Sequence, residues 1–254
     1  MKKTVVVTGA DRGLGYEIAR QCAKRGDVVF AGKYRTKWPL LAELAQTYPE
    51  NVHIIPLDVR YDKSVASAAA YILEHTDKID ILFNVAGVWL SHGSGSILDN
   101  KYDYDKMAEE FNVNALGMLR VTQALIVAVL KGFDKLIINI SSEAGSITNC
   151  KKNDQPGYCM SKAALNMASV VVLNNIRNMG GAVLNIHPGW MQSVIGNPAD
   201  PDAPYVPLPT LEQVKFQTTP ERSAEGILHI AEEYDRFSGR EPGFVNYLGD
   251  PMKY

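Results

Sequence analysis

An apolar strand, a glycine-rich turn and an amphipathic helix follow one another within the first 26 residues, and few folds accommodate that succession. Residues 3–8 (KTVVVT) are mostly β-branched and apolar, the pattern of a buried strand. Gly9, Gly13 and Gly15 come next, in TGADRGLG. The stretch YEIARQCAKRG then places Ile18, Ala19, Cys22 and Ala23 on one helical side before Gly26 ends it. Glycines let a backbone approach an anion closely, and a helix N-terminus offers it free N–H groups and the favourable end of a dipole. The unit predicts a cradle for a dinucleotide phosphate, opening a doubly wound sheet.

The alternation continues along the chain. Strands are expected near 28–32, 53–59, 79–87, 135–142, 182–189 and 243–247. Helices are expected near 40–48, 63–75, 112–130, 157–178 and 219–237. The fold class is therefore α/β: a doubly wound parallel sheet (Rossmann fold) of about seven strands with helices on both faces. No Pro/Gly/Ser-rich linker, repeat or low-complexity tract interrupts the 254 residues, so residues 1–254 are expected to form a single domain. Ligands bind such sheets beyond the carboxyl ends of the strands. Gly9, Asp58, Asn84, Ala86, Gly87, Ser141, Ser142, Pro188 and Gly189 all fall there.

Charge narrows the ligand. An acidic residue ending the second strand would hold ribose hydroxyls and repel a 2′-phosphate. Here DVVFAG runs into Lys33, Tyr34 and Arg35, and Arg12 lies inside the glycine turn. These cations suit a phosphate and predict NADP(H) over NAD(H), with NAD(H) possible; the alternative is a solvated basic surface. The net charge of −2 provides no global field for nucleic acid or anionic membrane, and neither is expected as a partner. The strand begins by residue 3, so no signal peptide is expected, and the apolar run LIVAVL is too short to span a bilayer. Three cysteines without CxxC spacing fit a reduced, cytoplasmic setting, and no metal site is expected.

The run YCMSK places Tyr158 and Lys162 four residues apart, one helical turn on the same face. A free phenol has a pKa of about 10, poorly matched to neutral proton transfer. The lysine's charge, with that of an oxidised nicotinamide, favours the phenolate and is expected to lower that value. Taken alone, the pair reads equally well as an exposed surface contact.

These motifs together resemble the short-chain dehydrogenase/reductase family, in its compact single-domain form, over essentially the whole chain. TGADRGLG fits the family's TGxxxGxG turn, and NVAG at 84–87 its NNAG segment, with Val85 departing. LDV at 57–59, Asn114, ISS at 140–142 and YCMSK fit in order. The basic turn, HPGW at 187–190 and the closing FVNYLGDPMKY look most like the C-factor and sniffer-like carbonyl reductases. The resemblance implies reduction of a small-molecule carbonyl to an alcohol, or the reverse, by hydride transfer from a nicotinamide, in a homo-oligomer (dimer or tetramer). A non-catalytic NADP(H) sensor is the competing reading.

By resemblance, Tyr158 is the acid/base, Lys162 also holds the nicotinamide ribose, Ser142 polarises the substrate oxygen and Asn114 holds a water. The remaining cofactor contacts implied are Gly9, Asp11, Arg12, Gly13, Leu14, Lys33, Arg35, Asp58, Val59, Asn84, Ala86, Gly87, Pro188, Gly189, Met191 and Ser193. Several assignments stay open. Asp58 serves an adenine pocket or caps a helix, and Asn114 satisfies backbone groups or binds water. Ser141 competes with Ser142. Cys159 is a packing thiol or a redox switch. Trp89 and Trp190 stack on a ligand or fill the core, and the apolar faces of the 112–130 and 157–178 helices pack a dimer or the core. The stretch between Ser142 and Tyr158 is longer than usual in the family, with TNCKKNDQ expected to bulge over the site mouth. The proline-rich 196–219 segment occupies the substrate-loop position and is expected to be a mobile lid.

Overall fold

The computed structural model describes residues 2–35, 37–91, 95–99, 101–191 and 218–254. The 196–219 segment, apart from its last two residues, and Ser193 lie outside them. Seven parallel strands form one sheet: β1 (Thr4–Val7), β2 (Val28–Lys33), β3 (Val52–Pro56), β4 (Ile81–Asn84), β5 (Leu136–Ile140), β6 (Ala182–His187) and β7 (Gly243–Asn246). Their order is β3-β2-β1-β4-β5-β6-β7, which reverses direction between β1 and β4 and opens a crevice there.

Alternation along the strands explains why both faces are covered. Val5, Val7, Ile81 and Phe83 join one apolar core with α1 (Gly13–Lys24) and α7 (Pro220–Glu232). Val6, Leu82 and Ile137 join the other with α3 (Asp62–His75), α5 (Met118–Leu130) and α6 (Pro156–Ile176). Helix α2 (Leu40–Thr47) packs beside β3, and α4 (Tyr104–Phe111) against α6.

Three boundaries differ from expectation for local reasons. The strand expected over 53–59 stops at Pro56, and residues 57–59 turn across the carboxyl edge after Leu57 N–H bonds the Lys33 carbonyl at 2.8 Å. The helix expected at 112 starts at Tyr104, where Asp103 caps it by accepting from the Lys106 N–H at 3.0 Å. A π-turn over Asn112–Gly117 joins α4 to α5. The resulting 28-residue helical run is long and apolar enough to cross a membrane by length and composition, which LIVAVL alone is not. Its apolar face, including Val121, Leu125 and Val129, lies in the core. The last predicted helix stops at Glu232 and ends in a 3-10 turn.

A polar seam crosses the second face. Asn84, Asn139 and Asn185 are paired in register on β4, β5 and β6. Asn84 Nδ2 donates to Asn139 Oδ1 (2.9 Å) and Thr122 Oγ1 (3.2 Å). Asn139 Nδ2 donates to Ser169 Oγ (2.9 Å) and Asn185 Oδ1 (3.3 Å). Such amides are tolerated in a core because each finds partners.

Candidate active site

The cradle is built by backbone. Gly9 and Gly13 take φ of 62° and 52°, the left-handed region that favours glycine. A Cβ on Gly15 would stand 2.2 Å from the Gly9 oxygen, so the turn closes onto α1 only without a side chain there. The Thr8 hydroxyl accepts from the Val85 and Ala86 N–H groups (2.9 and 3.0 Å), tying the turn to the end of β4.

A cleft runs from this turn to Tyr158. Gly9, Asp11, Arg12, Gly13, Leu14, Asp58, Val59, Ala86, Gly87, Pro188 and Met191 line it, with Arg35, Tyr158 and Lys162. Lys33 does not; it sits half-buried at the end of β2 with its carbonyl turned to Leu57. Asn84 belongs to the polar seam. Gly189, φ 81°, packs against Tyr247 and Thr218.

Two guanidiniums converge at the glycine-turn end of the cleft. Arg12 lies 5.1 Å from the centre of the buried Trp38 ring, and Arg35 lies 5.3 Å from that of Tyr34. Burial, then the Arg35 charge, lowers the Arg12 pKa, while Asp11 opposes the shift. Asp11 Oδ2 also accepts from the Arg35 N–H at 3.2 Å. Cations enclosed this closely call for an anion. Asp58 caps no helix. It accepts from Arg60, whose guanidinium also bonds Glu109 (3.0 Å) and the Tyr34 hydroxyl (3.0 Å). These bonds, led by the one to Asp58, hold the Arg60 pKa above its usual value. Arg60, Tyr34 and Trp38 were not singled out as ligand contacts; the only signal was their place directly after strands.

At the other end, Tyr158 and Ser142 share a hydrogen bond. Ser141 is committed elsewhere, donating to Asn166 Oδ1 at 2.7 Å, which separates the two serines. Lys162 Nζ lies 5.8 Å from the Tyr158 ring centre and donates to the Ile140 carbonyl at 2.8 Å. The expected lowering of the Tyr158 pKa is reversed: burial pushes it up to about 12, against the Ser142 bond, and the Glu110 and Glu143 charges add to the rise. Burial alone brings Lys162 down to about 8, weakening the charge that was to favour a phenolate.

Asn114 sits inside the π-turn and meets backbone. Its Oδ1 accepts from the Val88 N–H (2.8 Å), and its Nδ2 donates to the Val88 carbonyl and Ser161 Oγ (both 2.9 Å). It clamps the end of β4 to α6. Glu110, which sequence reasoning missed, does the same for the next residues: its buried carboxylate accepts from the N–H groups of Leu90 (2.7 Å) and Ser91 (2.9 Å) and from the Ser91 hydroxyl. A Cβ on Gly157 would lie 2.4 Å from Glu110 Oε2, so glycine before Tyr158 is required. Its surroundings, YDKMAEEF with Glu109 beside it, gave no signal in the sequence.

Trp89 lies 5.6 Å from Tyr158 between ring centres. Trp190 is exposed and donates to Glu143 Oε1 at 3.0 Å, and Lys152 of the TNCKKNDQ bulge lies over its ring. Burial lowers the His187 pKa, and burial raises that of Cys159 to about 11, which disfavours its thiolate.

The short chain dehydrogenase family model matches residues 3–203. The chain belongs to the short-chain dehydrogenase family. It is an oxidoreductase of that family. An uncharacterized oxidoreductase of Schizosaccharomyces pombe is 30% identical over 257 residues, covering 97% of this chain and 96% of its own. NADPH-bound carbonyl reductase from chicken fatty liver superposes with a TM-score of 0.80 at 27% identity, covering 100% of this chain and 99% of its own. A short-chain dehydrogenase/reductase from Burkholderia multivorans with bound NADP gives 0.80 at 25% identity, covering all of both chains.

Proposed function

We propose that this chain is an NADPH-dependent carbonyl reductase. The observation that carries the reading is one cleft holding the glycine turn and the Arg12–Arg35 pair at one end and Tyr158 and Lys162 at the other, with Ser142 bonded to Tyr158. The residues fit the cofactor: backbone N–H groups of the turn and of α1 would hold the pyrophosphate, and Arg12 and Arg35 the 2′-phosphate. The NADPH and NADP bound by the two similar structures support this choice. When bound, the reduced nicotinamide supplies the hydride to the carbonyl carbon. Tyr158 donates its proton to the carbonyl oxygen, and Ser142 bonds the same oxygen as charge develops on it. A phenol raised to about 12 stays protonated at neutral pH, the form that reduction requires. Lys162, anchored on Ile140, would hold the ribose, and Asn114 fixes the Val88 backbone that borders the site.

The alcohol is the product and a small carbonyl compound the substrate. The chain acts as one domain in a reduced, cytoplasmic compartment, which its free cysteines suit. The exposed Val127, Met160, Met167 and Val171 on α5 and α6 support a homo-oligomer. The test is NADPH consumption, followed by absorbance, across a panel of aldehydes and ketones. Binding of NADPH without turnover of any of them would favour the sensor reading.

A further inference from the structure

The loop before α6 carries a strained residue and a clamp. Gln155, directly ahead of the helix and three residues before Tyr158, has φ 56° and ψ 43°, a left-handed conformation unusual for a residue with a side chain. Such a conformation persists only when surrounding contacts over-determine it. On the far side of the loop, Thr148 bonds Tyr254. Its N–H donates to the Tyr254 carbonyl at 2.9 Å, and its hydroxyl donates to the same oxygen. Thr148 itself is exposed; beside it the Asn149 N–H donates to the buried Ser146 Oγ at 3.1 Å.

Tyr254 is held firmly enough to serve as an anchor. Its ring stacks on Phe244 of β7 at 5.2 Å between centres. Its hydroxyl donates to the Pro242 carbonyl at 2.5 Å and accepts from Asn185 Nδ2 at 3.5 Å. Asn185 ends the polar seam that starts at Asn84, so the anchor joins the sheet interior. Burial pushes the hydroxyl up to about 12, and it remains a donor across ordinary pH. Between clamp and strain the loop carries Lys152, which faces the Glu143–Trp190 pair: its Nζ lies 3.9 Å from Glu143 Oε1 and 5.7 Å from the centre of the Trp190 ring. Glu143 follows Ser142 directly and its charge reaches Tyr158.

We propose that Tyr254 is a positioning residue for the substrate end of the site: it fixes the 146–155 loop, and with it Lys152 and the approach to Tyr158. The proposal rests on the carbonyl reductase reading for what the site does, and on the clamp alone for how the loop is held. It gives the TNCKKNDQ insertion a defined conformation rather than that of a free bulge, and it assigns a role to the last residue of the FVNYLGDPMKY segment.

The experiment compares the wild-type chain with Tyr254→Ala, Tyr254→Phe and Thr148→Val by hydrogen exchange and steady-state kinetics. Tyr254→Ala removes ring and hydroxyl; Tyr254→Phe keeps the stack; Thr148→Val keeps the N–H bond. Exchange over 146–157 should accelerate several-fold in Tyr254→Ala while β1 and β4 stay protected, and Tyr254→Phe should restore most of the protection. KM for the accepted carbonyl should rise about three- to tenfold, the loss expected from one or two hydrogen bonds, with kcat and the NADPH Kd within twofold of wild type. Unchanged exchange over 146–157 overturns the proposal. So does acceleration spread evenly over the sheet, which would make Tyr254 a folding residue only. If the wild type reduces no carbonyl, the function reading fails while the exchange comparison still decides the clamp. If it does reduce one and KM is unmoved in Tyr254→Ala, the positioning role fails alone.

Discussion

The two ends of the cleft are built differently. At the end that would take the adenosine, much of the work is done by backbone and by charges in the turn and just after β2. Gly9, Gly13 and Gly15 shape the turn, Arg12 lies inside it, and Tyr34 and Arg35 directly follow β2. At the nicotinamide end, each reactive side chain is held by residues far away in sequence. Tyr158 depends on Ser142, and Gly157 beside it on the space left by Glu110. Asn114 meets Val88 and Ser161, and the floor below is the Asn84–Asn139–Asn185 seam. The second end gains a fixed, enclosed arrangement, and its groups titrate away from their ordinary values because of that enclosure.

The largest expected effect falls on the nicotinamide end alone. Tyr158→Phe should lower kcat by about 10²–10⁴, the range for a general acid, while NADPH binding followed by fluorescence persists. Near-normal turnover would break the division of labour between the ends. The mirror experiment is Arg12→Ala or Arg35→Ala. Either should weaken NADPH by roughly ten- to hundredfold, about 1.5–3 kcal/mol for a charge-assisted bond, and leave NADH nearly unchanged. Equal losses for both nucleotides in a titration would mean that the pair supports the fold rather than the phosphate.

A subtler contrast lies beneath the site. Asn139→Ala should cost about 1–3 kcal/mol in chemical denaturation, because partners on Asn84, Ser169 and Asn185 lose their bonds inside the core. NADPH affinity should hardly move. A loss no larger than that of an exposed substitution would show the seam to be replaceable.

The smallest effect concerns acid. His53 near the start of β3 and His187 at the end of β6 both have pKa values lowered, in each case first by burial. The unfolded chain therefore binds these protons more readily, so the stability from keeping both rings neutral is present above about pH 6.5 and is lost as pH falls below it. His187→Gln should flatten that fall more than His53→Gln, since His187 is the more enclosed ring, each by less than about 1 kcal/mol. The reverse order in denaturation midpoints at pH 5.5 and 7.5 would make His53 the more acid-sensitive ring.

Much of the architecture was legible because it repeats a local rule. Apolar runs of four to six residues alternating with helical periods led to the parallel sheet, and the glycine spacing to its first turn, since both depend on neighbours along the chain. The pairing of Tyr158 with Lys162 was legible for the same reason, one turn of one helix. Which serine faces the tyrosine was not, because Ser141 and Ser142 differ only in the direction their strand end presents them, and Asn166 takes the first. Arg60, Glu110 and Tyr254 have partners the sequence did not point to: Glu109 and Tyr34, Ser91, and Thr148 and Asn185. The sign of the Tyr158 shift also escaped the sequence. A lysine one turn away argues for a lower pKa, but how much water reaches either group is a property of the packed chain. In the structure burial outweighs that charge, raising the phenol and lowering the lysine together. By itself the sequence determined the sheet and the cradle, and it nominated Tyr158 as the acid. The tertiary structure decided what each side chain is bonded to and how strongly it holds its proton, because both depend on contacts between residues distant in the chain.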